Sequence, residues 1–248
     1  MHIIGIGGLK RSGKDTFARV VADVARKDGI AVAVIAFADA VRRAAAAAYG
    51  VDAAVFTDDA RKDTICEAWG ITYRQMLINL GEAMRSVDVD HWVKAWRQSV
   101  AAVRPTYWGP DDDGPVTKQL PTLVLVPDLR RVNEAEAIHN AGGMTVLMRR
   151  PGVEWNGHET EVLAHLAQHR DDFKAASLNC VYAKGVPFDS TGKESRSLSY
   201  LTPSLPWRYI YDTAIDNPVA VGVQATEDDT AKLRLSAVEV LIDATGRR

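Results

Sequence analysis

Cysteine is scarce: Cys66 and Cys180 are the only two in 248 residues, and they lie far apart. That excludes a disulfide framework and a paired zinc-ligand spacing, and it fits reduced thiols in a cytosol. An excess of either charge is also missing, because 30 basic residues stand against 32 acidic ones for a net charge of -2. The broad basic surface on which stable nucleic acid binding leans is therefore not expected, although local clusters can still hold small anions. The chain opens with no basic leader and apolar run, and no stretch reaches the roughly 18 apolar residues of a membrane span. A soluble, cytoplasmic protein without membrane contact is expected. Internal repeats are lacking too, and a length of 248 residues suits one α/β domain.

What is present is an alternation of short apolar runs with helical patterns. Residues 2 to 7, HIIGIG, form an apolar run ending in glycine, and the helix behind it carries Phe17, Val20, Val21 and Val24 on one face. Residues 31 to 37, AVAVIAF, read as a buried strand, and the alanine-rich stretch from Ala40 to Tyr49 as a helix. Thr72 with Gln75 fits a capping box ahead of a helix that lines up Met76, Leu80, Ala83 and Met84. Asp88 is placed to cap the next helix, whose stripe of Trp92, Val93, Trp96, Val100 and Val103 reads as core packing. Residues 104 to 121, rich in proline, glycine and aspartate, predict an exposed loop.

TLVLVPD at 122 to 128 and MTVLM at 144 to 148 are further buried strands, with a polar helix between them from about Arg131 to Asn140. Residues 150 to 208 have no sustained period and predict a long excursion with one short helix near 161 to 169. YIYDTAI at 209 to 215 is a last strand and 229 to 244 a last helix. Strands alternating with helices imply a mostly parallel sheet covered on both faces, with ligands beyond the carboxyl ends of the strands.

Between the first strand and its helix lies GLKRSGKDT, in which Gly8 to Lys14 satisfies GxxxxGK. Gly8 and Gly13 let backbone N–H groups turn toward phosphate oxygens, the helix N-terminus adds positive charge, and Lys14 can follow the β and γ phosphates. Asp15 stands where the usual pattern has a serine or threonine, and Thr16 follows it. A carboxylate there can hold Mg²⁺ directly or through water, act near the acceptor, or simply favour the helix dipole. Asp128 ends its strand as an acid beside a phosphate loop often does, supporting the metal or its waters, or else sits in a turn after Pro127. Arg130, two residues on, suits a phosphate by its bidentate fork.

Taken together, GLKRSGKDT, AFADAVRRA at 36 to 44, WGITYRQMLINLGEAMR at 69 to 85, DHWV at 90 to 93, VPDLRRVNEAEAI at 126 to 138 and RRPGV at 149 to 153 resemble the bacteriophage deoxynucleoside monophosphate kinase family. The match runs from residue 2 to about 161 and returns near DTAIDN at 212 to 217. The resemblance implies a P-loop NTPase three-layer α/β sandwich of nucleoside monophosphate kinase type, often dimeric, so a homodimer is expected. It implies one domain over residues 1 to 248, with a helical acceptor-binding region at about 40 to 104 and a lid or insertion at about 150 to 208. The implied reaction passes the γ-phosphoryl of ATP, with Mg²⁺, to a deoxynucleoside 5′-monophosphate.

On that resemblance Lys14, Arg11, Asp15 and Arg130 serve transfer, and Gly8, Lys10, Ser12, Gly13, Lys14, Asp15, Thr16 and Arg150 hold the donor. Asp39, Arg42, Arg74, Asp128 and Arg130 face the acceptor, with Asp15, Thr16 and Asp128 as the oxygen ligands of Mg²⁺. The GKDT form is usual in that family, which makes Asp15 a family feature. Leu77 to Glu82 departs from the family's LQxLGTE by lacking its glutamine and threonine. The stretch from about 163 to 208 also exceeds the family pattern.

His165 and His169 are four apart, but no third ligand at a suitable spacing supports a zinc site. Thr191-Gly192-Lys193 follows no strand and reads as loop composition. Rival functions are a related kinase for another small molecule or for a modified pyrimidine in DNA, and an ATPase switch that needs no acceptor.

Overall fold

The computed structural model describes residues 1–103, 106–111, 114–119, 122–155, 164, 211–219 and 224–246, with the backbone alone over 106–119. The elements, in chain order, begin with β1 (His2–Gly8), α1 (Lys14–Lys27), β2 (Ala31–Val34), α2 (Ala38–Tyr49) and a 3-10 turn at Ala53–Phe56. Then come β3 (Ile65–Cys66), β4 (Ile71–Thr72), α3 (Tyr73–Val87), α4 (His91–Ala101), β5 (Thr106–Asp111) and β6 (Gly114–Gln119). The chain continues through β7 (Thr122–Leu129), α5 (Val132–Asn140), β8 (Met144–Arg149), β9 (Thr213–Asp216) and α6 (Glu227–Thr245). It divides into two compact units, one of Met1–Val34 with Arg104–Arg248, the other of Ile35–Val103.

The first unit is built on a five-stranded, all-parallel sheet in the order β2-β7-β1-β8-β9. Strand alternation sends Ile4, Ile6, Leu123, Leu125, Val146 and Met148 to one face. There they pack with Phe17, Val21 and Ala25 of α1 and with Leu233, Ala237, Val240 and Leu241 of α6. The other face carries Ile3, with Ile138 of α5 over Ile3 and Gly5. Phe17 is fully buried in the first of these layers, so Phe17→Ala is expected to cost about 3–5 kcal/mol.

Several expectations need correction. The α1 face is broader than four apolar residues, since Ala18, Ala22 and Ala25 are buried while Val20 and Val24 are only partly so. Two neighbours, the sheet and α6, explain the width, and alanines allow close approach. Strand β2 stops at Val34 and is half-exposed, because it is the outer strand of the sheet and among the described residues pairs with β7 alone. The stretch expected to be an exposed loop contains a hairpin, β5 paired antiparallel with β6 from Thr106↔Gln119 to Asp111↔Gly114. Its prolines, Pro110 and Pro115, face each other in a two-stranded ribbon, where every strand is an edge and tolerates proline. The excursion over 150–208, with its helix near 161–169, lies outside the described residues beyond 155 except for Ala164, which is buried.

In the second unit α2, α3 and the 3-10 turn close on Ala45, Val55, Phe56, Cys66 and Met76. Thr72 accepts the Gln75 N–H at 3.0 Å, but the Gln75 side chain donates to Asn79 and does not return, so the capping box is half formed. Of the expected α3 stripe, Met76 is buried, Leu80 packs partly buried against the same core and Met84 is half-buried, while Ala83 is exposed and Gly81 is buried beside them. Asp88 does not cap α4 directly: it accepts from the Asp90 N–H and pairs with Lys94. Trp92 and Trp96 are buried as expected, donating to the carbonyls of Gly81 and Ile35. Among the described residues no helix is long and apolar enough to cross a membrane.

Candidate functional site

The loop from Gly8 to Lys14 joins the carboxyl end of β1, the central strand, to the first turn of α1. Gly8 has φ 144° and Gly13 φ 99°, conformations that side chains rarely adopt. A Cβ on Gly8 would also lie 2.5 Å from the Met148 carbonyl oxygen, and one on Gly13 would lie 2.4 Å from Asn217 Nδ2. Arg11, at φ 68°, is the described non-glycine residue in the left-handed region. The Ser12 N–H closes a turn on the Leu9 carbonyl at 3.1 Å, and the first bond within α1 runs from Phe17 N–H to Gly13 O at 2.9 Å. Amides ahead of that bond belong to the helix mouth, where an anion gains both donors and the dipole.

Lys14 Nζ donates to the carbonyl oxygens of Gly8, at 2.8 Å, and Leu9, at 2.7 Å. Ser12 is buried, and its Oγ has no hydrogen-bond partner among the described residues. A buried, unpartnered hydroxyl within a glycine-shaped loop fits a phosphate-bearing ligand. Lys10 and Arg11 are exposed, as are Asp15 and Thr16 in the first turn. The Asp15 carboxylate makes no hydrogen bond to a described residue. With the Thr16 hydroxyl it offers hard oxygen donors of the kind Mg²⁺ prefers. A glycine loop between the central strand of a parallel sheet and the following helix is the α/β arrangement of a phosphate-binding loop.

Beside β1, β7 brings Asp128 and Arg130 to the same end of the sheet, in the register Gly5↔Val126 and Gly7↔Leu129. Asp128 is half-buried and Arg130 exposed. Behind them Glu134 of α5 is buried, and its Oε2 accepts the N–H groups of Arg130 at 2.8 Å and Arg131 at 3.0 Å. Burial, and next the Asp128 charge, push the Glu134 carboxyl up to about 7, against those two amide bonds and the Arg131 charge. Tyr211 is buried with its hydroxyl unpartnered among the described residues and within reach of Gly7. Burial, and then the nearby Glu134 charge, push its ionisation far above the usual phenol range.

Arg149 ends β8, and Arg150 follows it. Arg149 makes a two-point ion pair with Asp216, both contacts 2.8 Å. Arg150 donates from Nε to Val219 O at 2.6 Å and from Nη1 to Arg11 O at 3.1 Å, so it touches the phosphate loop through the backbone.

The second unit holds the other expected site residues. Asp39 accepts the Ala36 N–H at 2.8 Å and Arg42 Nη1 at 2.7 Å, and the buried Arg42 Nε has no partner among the described residues. Arg74 is held by both oxygens of Asp63, whose hydrogen bonding raises the guanidinium's already high pKa. Arg85 likewise pairs with Glu82 at 2.6 Å. Sequence reading assigned no role to Asp63, Glu134, Tyr211 or Asn217, although Glu134 lies in VPDLRRVNEAEAI, Tyr211 in YIYDTAI and Asn217 at the end of DTAIDN.

Among the described residues no group of three or more His, Cys, Asp or Glu could hold a metal ion. His158, His165, His169, Cys180 and the Thr191-Gly192-Lys193 segment lie outside those residues. No family model matches the chain, and no curated protein matches it. Among solved structures the chain is similar to the shikimate kinase from Acinetobacter baumannii in complex with shikimate, with 12% identity and a TM-score of 0.36. That likeness covers 100% of this chain and 95% of the other.

Proposed function

We propose that this chain is an ATP-dependent deoxynucleoside monophosphate kinase, which passes the γ-phosphoryl of ATP to a deoxynucleoside 5′-monophosphate and yields the diphosphate. The observation that carries the reading is the loop itself: two glycines at positive φ, a buried free hydroxyl and Lys14 opening α1. The acceptor class rests on the resemblance of AFADAVRRA, TYRQML and the Asp128-Leu129-Arg130 triplet to the phage kinases.

Phosphoryl transfer asks the protein for positioning and for compensation of negative charge, not for covalent help. Loop amides and the α1 N-terminus would hold the β and γ phosphates. The Lys14 ammonium would exchange its two carbonyl oxygens for phosphate oxygens, and its charge would offset what builds up during transfer. Asp15, Thr16 and Asp128 would hold Mg²⁺, which supplies further neutralisation of the phosphate oxygens. Arg11 and Arg130, both exposed, add positive charge, and Lys10 and Arg150 complete the donor side.

On the acceptor side Asp39 orients Arg42, whose unpartnered Nε–H suits a phosphate oxygen. Arg74 is the second acceptor cation, shared with Asp63.

The test is a coupled ADP-release assay with ATP and Mg²⁺, offering each deoxynucleoside monophosphate in turn, 5-modified pyrimidines included. Release that depends on one or a few acceptors is the expected outcome. Release without any acceptor would instead favour an ATPase switch, and no release would sink the kinase reading for this acceptor class.

A further inference from the structure

The loop is bonded from outside itself, by side chains from elsewhere in the first unit. Arg11 adopts a left-handed conformation without being glycine, and such residues persist where neighbours over-determine them. Two side chains from beyond β8 and β9 supply that restraint. Arg150 Nη1 takes the Arg11 carbonyl at 3.1 Å, and Asn217 Nδ2 takes the Ser12 carbonyl at 3.1 Å.

Asn217 is itself tightly placed. It is 5% exposed, its main-chain N–H donates to Arg149 O at 2.7 Å, and its Oδ1 accepts the Val219 N–H at 3.1 Å. Because Oδ1 is committed to a donor, the amide can present only Nδ2 to the loop. A planar trans peptide points its carbonyl and its N–H in opposite directions. Holding Ser12 O toward Asn217 therefore turns the Gly13 N–H away from β9.

We infer that Asn217 is a positioning residue that sets the direction of the Gly13 amide, and through it the affinity of the loop for a triphosphate. This rests on the phosphate-loop reading above, but not on the identity of the acceptor. Asn217 also explains why position 13 is glycine, since a Cβ there would meet Nδ2 at 2.4 Å. The contact joins residues 205 apart in sequence, so the far end of the chain shapes its beginning.

The experiment compares the full-length wild type with Asn217→Leu, nearly the same size but unable to donate, and with Asn217→Ala should the leucine variant not fold. Calorimetric titration gives Kd for MgATP and for inorganic tripolyphosphate, and thermal melts report the fold. The variant is expected to bind both ligands about tenfold more weakly, by the same factor, since one bond to the loop is lost and the base is not involved. A residue that merely supported the fold would lower Tm while leaving Kd of the folded protein unchanged, and that result would overturn the inference. So would a loss for MgATP that tripolyphosphate does not share. Failure of the wild type itself to bind either ligand is a different result, which defeats the phosphate-loop reading first.

Discussion

Around the phosphate loop four side chains, those of Lys14, Arg150, Asn217 and Glu134, end on the backbone, whereas between Ile35 and Val103 three arginines are held by acids. Lys14 bonds the carbonyls of Gly8 and Leu9, Arg150 those of Arg11 and Val219, Asn217 that of Ser12, and Glu134 the amides of Arg130 and Arg131. In the other unit Asp39 holds Arg42 as well as the Ala36 amide, Asp63 holds Arg74, and Glu82 holds Arg85. A side chain bonded to main chain fixes the shape of a loop whatever the substrate's charge. An arginine paired with its own acid is kept in place while its charge is largely cancelled, so a phosphate must share it or displace the acid. On the proposed function, the phosphate loop should therefore be sensitive to shape, and the arginines of the second unit to charge.

The largest effect expected on this contrast comes from Lys14→Ala, which on the proposed function removes the loop side chain that exchanges backbone carbonyls for phosphate oxygens. We expect kcat/KM to fall about a thousandfold with Tm little changed. Near-normal turnover would break the donor-side half of the comparison.

Next in size is the pH dependence that Glu134 gives to stability. Its carboxyl is raised from 4.5 to about 7 in the folded protein, so the folded state keeps its proton where the unfolded chain has lost it. Stability from this group is fully present below the ordinary carboxyl range and is lost as pH rises through about 7, on the order of 3 kcal/mol in all. Tm should fall between about pH 5 and pH 7.5, and Glu134→Gln, which keeps an oxygen for the two amides, should flatten that fall. Parallel curves for the two proteins would mean that the buried acid is not the titrating group.

Those residues also mark where sequence reading succeeds and where it stops. The β1–loop–α1 unit was legible because GxxxxGK and the helix period are both local, and β7 and β8 because buried parallel strands are continuous apolar runs. The hairpin of β5 and β6 was hidden by its own composition: Gly109, Pro110, Gly114 and Pro115 carry loop statistics whatever they pair with. Asn217 and Tyr211 could not be assigned at all, because their meaning lies in contacts with residues about two hundred positions earlier. Arg74 shows the opposite case. Its place in the resemblance was visible, but its pairing with Asp63, eleven positions before it, was not, and that pairing decides how much charge it offers.

Asp63 therefore supplies the smallest and sharpest test. The pair is exposed, with side chains 40% and 62% accessible, so Asp63→Asn should barely move Tm. Its effect on the acceptor should be larger than its effect on the fold: with Arg74 released from its counter-charge, we expect the acceptor KM to drop severalfold at low salt and the gain to fade as salt screens it. The ATP KM should not change. A rise in acceptor KM would mean that Asp63 serves Arg74 by holding its geometry, and the second unit would then work by shape, as the phosphate loop does.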